Sequence, residues 1–361
     1  MLIRKQNGFD DFVCIADRCP KSCCIGWQIV IDDKSMQKYG SITGDFADEL
    51  NAGIDPAEKC FRRIDTRCAM LDDDGLCRLQ KALGGEYLCD TCRIYPRHEE
   101  EFLDLREETL TLSCPEAARM LLDGSYTFGF TEEENEEADD PGEFGDCDPF
   151  LLDELAYSRE KMAEFIKNRK IPFQKRLSAI GAAAFDMQRY YDRGETEMIG
   201  AACEGFYDEK TLKDMEPVKA AGIPMDHSYA LFGLSFLSKL EVLEDSWPDI
   251  ISKTIGYFSG MDGDCAGWKD AADPEKSGEE AAFEKLFLAF LYTYLCGSVY
   301  DGQIYARCMI AIWSVRFIML LFAANDLSLT RMICLFAREI EHSDENITAL
   351  ISFFEAELPD Q

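Results

Sequence analysis

The chain has 361 residues, 47% of them hydrophobic and 12% aromatic, so it can bury a sizeable core and is not of the disordered class. Its 69 acidic and 37 basic residues give a net charge of −32, which excludes the clustered Lys and Arg of a phosphate-binding surface and argues against nucleic acid as a partner. A cationic partner, such as a lysine side chain or a sulfonium, is instead drawn in over about 8–10 Å at ordinary salt.

From Met1 to Asp11, polar residues interrupt every apolar stretch, so no secretory leader is expected and the chain is read as cytoplasmic. That reading bears on the thiols. Ten of the sixteen cysteines lie within the first 114 residues. A disulfide framework needs an oxidising compartment, whereas in a reducing one the same crowding points to metal binding or catalysis. Cys60 stands alone. The other nine, Cys14, Cys19, Cys23, Cys24, Cys68, Cys77, Cys89, Cys92 and Cys114, are the candidate metal ligands, and they exceed a single four-ligand site. Zinc and iron–sulfur clusters both accept four thiolates, and spacing leaves the choice between them open. Cys89 and Cys92 have the two-residue gap that lets one turn present both sulfurs to one centre. Adjacent Cys23 and Cys24 diverge in an extended stretch, so one ligates while its neighbour serves elsewhere. With only three histidines, a mixed Cys/His finger is disfavoured, and His98, in a charged stretch, is expected at the surface.

Trp27, Ile29 and Ile31 alternate with Gln28 and Val30, which predicts a half-buried strand ending at Asp32-Asp33. The face of Trp27 could hold a cation, but the alternation makes it a core residue first. Asp72-Asp73-Asp74-Gly75 supplies a tight hairpin turn that brings Cys68 and Cys77 together. The spaced ligands of a calcium loop are missing there. Pro115 predicts the first turn of a helix running to Gly124, with Ser113 as its cap.

From Glu132 to Asp140 the chain is almost wholly acidic, and Pro141, Gly142 and Gly145 follow, so residues 131–148 read as a linker. Beyond it the period is helical, with helices expected over Pro149–Asn168, Pro172–Arg193, His227–Glu244, Trp247–Phe258, Ser277–Val299, Gln303–Ala324, Leu327–His342 and Asn346–Ala356. Cys308–Ala324 is apolar, but Arg316 and its length make it a buried core helix, not a membrane span of about 20 residues. Cys203, Cys265, Cys296, Cys308 and Cys334 read as buried structural thiols. The fold expected is an α-rich α+β one: a small cysteine-rich, metal-stapled N-terminal domain (1–130) with short strands, then an all-α helical domain (149–361).

The stretches Cys19-Pro-Lys-Ser-Cys23-Cys24-Ile-Gly-Trp27, Asp74-Gly75-Leu76-Cys77-Arg78-Leu79-Gln80, Leu88-Cys89-Asp-Thr-Cys92-Arg93-Ile-Tyr95-Pro96-Arg97 and Leu112-Ser113-Cys114-Pro115-Glu116 resemble the successive signature blocks of the flagellin lysine-N-methylase family, densely over about residues 9–122. The resemblance implies a cytoplasmic enzyme that moves a methyl group from S-adenosylmethionine to lysine amines of flagellin. It also implies a 4Fe-4S cluster on the N-terminal cysteines, with zinc as the alternative metal. The residues themselves carry no glycine-rich dinucleotide turn. Nor is there a Cys-x3-Cys-x2-Cys run, since Gly26 stands where its third cysteine would be. Arg93, Tyr95 and Arg97, just after Cys92, are the catalytic candidates: either arginine clamps the donor carboxylate, and Tyr95 orients the amine. The competing readings are a metal- or cluster-binding adaptor without catalysis, and a redox enzyme, for which no flavin or nicotinamide fingerprint is present.

Overall fold

In the computed structural model, which describes residues 1–135, 147–205, 207, 226–261, 266–271, 273–356 and 358, the first strand is an inner one. After β1 (Leu2–Gln6) come helices α1 (Asp33–Gly40) and α2 (Ala47–Ala52). Two short ladders follow, β2 (Ile54–Asp55) with β3 (Cys60–Phe61) and β4 (Arg63–Ile64) with β5 (Arg67–Cys68). Next are α3 (Arg78–Leu83), α4 (Asp90–Ile94), the hairpin β6 (Arg97–Phe102) and β7 (Leu105–Leu110), α5 (Pro115–Leu122) and β8 (Phe130–Glu134). The main sheet has the order β6-β7-β1-β8. In it β1 lies parallel to β7, Leu2 opposite Leu105, and antiparallel to β8, Gln6 opposite Phe130.

The second half is helical: α6 (Pro149–Phe165), α7 (Phe173–Asp192), α8 (Ile199–Glu204), α9 (His227–Leu237), α10 (Trp247–Ser259), α11 (Ala266–Ala271), α12 (Pro274–Ser277), α13 (Glu280–Tyr294), α14 (Ser298–Asp301), α15 (Ile304–Ala324), α16 (Leu329–Glu341) and α17 (Asp344–Ala356). Helix α15 is apolar on every side because every side is covered: α7, α10, α13, α16 and α17 pack around it. Of its two cations, Arg307 in the first turn pairs with Asp301, and Arg316 is buried but hydrogen-bonded to Gln174 and Ser178 and lies over the Trp313 ring. By length and composition Glu280–Asp301 and Ile304–Ala324 could each cross a membrane, yet 67% and 83% of their apolar windows are covered by protein.

The helical elements follow the sequence pattern within a few residues, save that the helix expected over His227–Glu244 stops at Leu237, that Ser277–Val299 is broken into α12, α13, a 3-10 turn and α14, and that α8 and α11 lie outside the expected helices. Among the expected buried thiols, Cys203, Cys296, Cys308 and Cys334 are buried, and Cys265 lies outside the described residues. Residues 27–31 keep their alternation, with Ile29 and Ile31 buried and Val30 exposed, but form only a single bridge between Val30 and Cys60. Asp72–Leu76 makes the predicted turn, with Gly75 at φ +77° and a bridge between Leu71 and Cys77. Cys114, not Ser113, occupies the cap position of α5, and the Ser113 hydroxyl bonds to side chains instead. Thr131–Glu134, at the head of the acidic run, belong to β8, and residues 136–146 lie outside the described part. The largest core joins Phe102, Leu105, Leu112, Leu121 and Phe128 to the helices, so sheet and bundle share one interior.

The ion pair between Arg159 of α6 and Glu107 of β7 fastens the sheet to that bundle. Both side chains are buried, Arg159 Nη1 donates to Glu107 Oε2 at 2.7 Å, a second bond joins Nη2 to Oε1, and the guanidinium lies 4.1 Å from the Tyr292 ring centroid. Replacing Glu107 by Ala leaves Arg159 charged and unpaired in the core, a loss of about 3–5 kcal/mol, whereas an apolar pair at both positions recovers most of it. Denaturant titration of the single and double variants measures both.

Candidate functional site

The segment Cys24–Asp32 is the spine on which the thiols hang. The Cys24 carbonyl accepts the Cys68 N–H at 2.8 Å and Gly26 N–H bonds to Thr66 O, which docks β5 beside the Cys23–Cys24 pair. Farther along, the Val30 carbonyl accepts the Thr91 hydroxyl at 2.8 Å and faces Cys89 Sγ at 3.7 Å, while Asp32 caps α1 through Ser35 N and holds Asp90 N. Three distant stretches thus converge: Cys68, Cys89, Cys24, Cys77 and Cys92 pack into one small cluster with Ile29, Ile31 and Leu79. Cys14, Cys19 and Cys114 share a second neighbourhood, and Cys23 lies in the fields of Cys24, Cys14 and Cys114. Every cysteine among the described residues is a free thiol.

Two of the thiol pairs shift each other in opposite directions. A hydrogen bond from Cys23 and the nearby Arg338 charge hold Cys24 down to about 7, and the partner Cys23 is pushed up. Likewise the bond with Cys92 lowers Cys89 and raises Cys92. Burial and the charges of Cys24, Cys77 and Cys89 push Cys68 up to about 12, and burial pushes Cys114 to about 11. Desolvation and mutual repulsion of this kind are what a bound cation relieves, because it favours the thiolates outright. In donor type and neighbourhood the residues fit a thiolate-held centre. Among the described residues, however, no three Cys, His, Asp or Glu side chains already close into a ligand sphere.

Behind the thiols sits a cation that the sequence reading missed. Arg338 of α16 is buried, and its Nη2 donates to the carbonyls of Ile25 (2.6 Å) and Ser22 (3.0 Å). Its Nε donates to Glu244 at 2.7 Å, and Glu244 also pairs with Lys21. Trp27 lies 4.2 Å under that guanidinium and stacks on His342 at 4.1 Å, so its ring is already engaged by the protein's own groups. Gly26, at φ +105°, lets the chain turn between Cys24 and Trp27, and a Cβ there would come within 3.4 Å of Glu244 Oε1. Burial and the Arg338 charge lower His342 to about 4, which keeps that imidazole neutral. The clue in the sequence was a charge at a core position: Met332, Leu335, Arg338 and Glu339 lie on the buried side of a strongly amphipathic helix.

The three catalytic candidates do not converge. Arg93 is exposed and pairs with Asp90, while Arg97 donates to the Phe12 carbonyl at 3.2 Å and rests near the Phe9 and Phe12 rings. Tyr95 is half-buried against Trp27, at 5.6 Å, and meets the Ser113 hydroxyl at 3.2 Å. Ser113 Oγ lies 3.0 Å from Thr111 Oγ1, which donates to Glu341 Oε2 at 2.9 Å. His98 is largely exposed and pairs with Glu100 at 3.2 Å.

Residues 159–360 match the family described as the FliB lysine N-methylase C-terminal domain. The N-methylases of Salmonella typhimurium and Salmonella choleraesuis, named lysine-N-methylase, are each 28% identical over 130 residues, covering 34% of this chain and 32% of theirs. The flagellar biosynthetic protein FliU of Salmonella muenchen is 29% identical over 120 residues, 31% of this chain and 71% of that protein. The aligned part therefore spans about a third of the length of the two lysine-N-methylases. No solved structure matches. Since the family match covers more than half of its residues, the chain belongs to the FliB lysine N-methylase family.

Proposed function

We propose that the protein is a lysine N-methyltransferase that acts on flagellin in the cytoplasm with S-adenosylmethionine as methyl donor, and that its N-terminal thiols hold a 4Fe-4S cluster. The family match carries the reaction class, and the names lysine-N-methylase and flagellar biosynthetic protein among its relatives support the substrate. The converging free thiols support the cluster. Cys24, Cys68, Cys77, Cys89 and Cys92 form the main donor group, with Cys14, Cys19, Cys23 and Cys114 beside it. Once bound, such a centre would neutralise the thiolates and staple the three converging stretches; zinc would do the same.

Methyl transfer needs a neutral amine, aligned with the sulfonium and shielded from bulk water. Free lysine has a pKa of about 10.4, so the site must favour loss of its proton. The acidic surface draws the lysine in, and Tyr95, beside the thiols and half-buried, orients the amine. Arg93 and Arg97, engaged with Asp90 and Phe12, steady the walls of this region; clamping the donor carboxylate would require either of them to turn.

Incubation with flagellin and labelled S-adenosylmethionine should place label on lysine; a stable complex with flagellin and no label would instead support the adaptor. Protein purified without oxygen should be brown and contain iron and acid-labile sulfide. Colourless, zinc-only protein would replace the cluster by zinc, and Cys89→Ser or Cys92→Ser should bleach the iron protein and lower its melting temperature. Arg338→Met leaves the buried Glu244 carboxylate with Lys21 alone and removes the donor to the Ser22 and Ile25 carbonyls, and should destabilise the fold by about 3 kcal/mol in denaturant titrations.

A further inference from the structure

We propose that Tyr95, Ser113, Thr111 and Glu341 form a relay that carries the proton of the substrate amine away from the reaction centre to the Glu341 carboxylate. The proposal rests on the lysine-methylating reading. In that reaction the sulfonium C–S bond breaks, a C–N bond forms, and a lysine that arrives as an ammonium gives up one proton for each methyl it receives.

The hydrogen bonds fix the direction of travel. Thr111 Oγ1 spends its proton on Glu341 Oε2, so toward Ser113 it can only accept. Ser113 Oγ then donates to Thr111 and accepts from the Tyr95 phenol. A proton delivered to Tyr95 Oη displaces the phenol's own proton to Ser113, that of Ser113 to Thr111, and that of Thr111 to Glu341. Each hydroxyl ends with one proton, and the carboxylate carries the extra one until solvent takes it. Ser113 is fully buried, while Tyr95, Thr111 and Glu341 are half-buried.

The environment of Glu341 suits an acceptor at neutral pH. Burial raises its carboxyl to about 7, against the lowering effect of the Thr111 bond and of His98 on β6. From α13 the buried Tyr294 faces it, with a phenol that has no hydrogen-bond partner among the described residues and lies within the field of Glu341. On its own helix and just beyond, Arg338 is neutralised by Glu244 and His342 is held neutral. Burial keeps the Tyr95 phenol well above its ordinary range, so it passes a proton without ionising.

The test compares Thr111→Val, which cuts the relay, with Thr111→Ser, which keeps the hydroxyl, in the full-length protein, with Glu341→Gln as reference. In infrared titration the carboxyl band absent from E341Q should have a midpoint near 7 in the wild type and in T111S, and should rise by about one pH unit in T111V, where the carboxylate loses a donor. In assays with flagellin and S-adenosylmethionine, T111V and E341Q should lose about a hundredfold in kcat at pH 7 with KM unchanged, T111S should stay within a few-fold of the wild type, and E341Q should lack the fall in rate below pH 7. Equal midpoints and equal rates in T111V and T111S overturn the relay. Wild-type protein that methylates nothing overturns the parent reading instead, and the relay is then decided by the infrared midpoint, an unmoved band in T111V refuting it.

Discussion

A buried cation, Arg338, is one of the interactions that hold the cysteine-rich half to the helical half. A guanidinium in the protein interior is tolerated only when its donors are satisfied and its charge is matched. Arg338 meets both conditions with groups from separate parts of the chain: carbonyls of the Ser22–Ile25 loop, the Glu244 carboxylate and the Trp27 ring. Because the loop that donates those carbonyls also carries Cys23 and Cys24, the charge that fixes the architecture also favours the Cys24 thiolate. Arg338 thus bears on both the position and the reactivity of the thiol, although the bond with Cys23 lowers Cys24 more.

Sheet and bundle are joined by the same kind of bond. Arg159 and Glu107 lock β7 to α6, and the Thr111–Glu341 bond ties the segment after β7 to α16. The cysteine-rich region is thus continuous with the helices through polar contacts as well as through the shared core. Tyr95 and Glu341 belong to opposite sides of that seam, and a site spanning it depends on both halves being in register.

Most helices were legible because each needs only its own periodicity and ends: Pro149, for one, marks a start that the structure reproduces. The main sheet was not. Strand β6 is mostly charged, β7 buries a glutamate that an arginine far along the chain neutralises, and their turn, Leu103-Asp104, holds a leucine at φ +51° where glycine or asparagine would have signalled a hairpin. Hydrophobic patterning cannot register a buried position filled by half of an ion pair. The number of candidate ligands was readable, but their grouping was not, since it follows from backbone bonds such as Cys68 N–H to Cys24 O that link remote segments. Arg93 and Arg97 illustrate the converse: closeness in sequence to Cys92 did not make them neighbours in a site, because adjacent side chains leave the backbone in different directions.

Strand β1 is flanked by two partners, β7 and β8, that are both made more than ninety residues after it. On the ribosome its Leu2–Gln6 backbone therefore emerges with nothing to pair with, and the sheet can close only when the thiol-bearing loops between them have been synthesised. The short ladders β2-β3 and β4-β5 within those loops need far less chain than the main sheet does. Topology thus orders folding: the long-range pairing of β1 waits for β7 and β8, whereas the thiol-bearing loops depend on closer contacts.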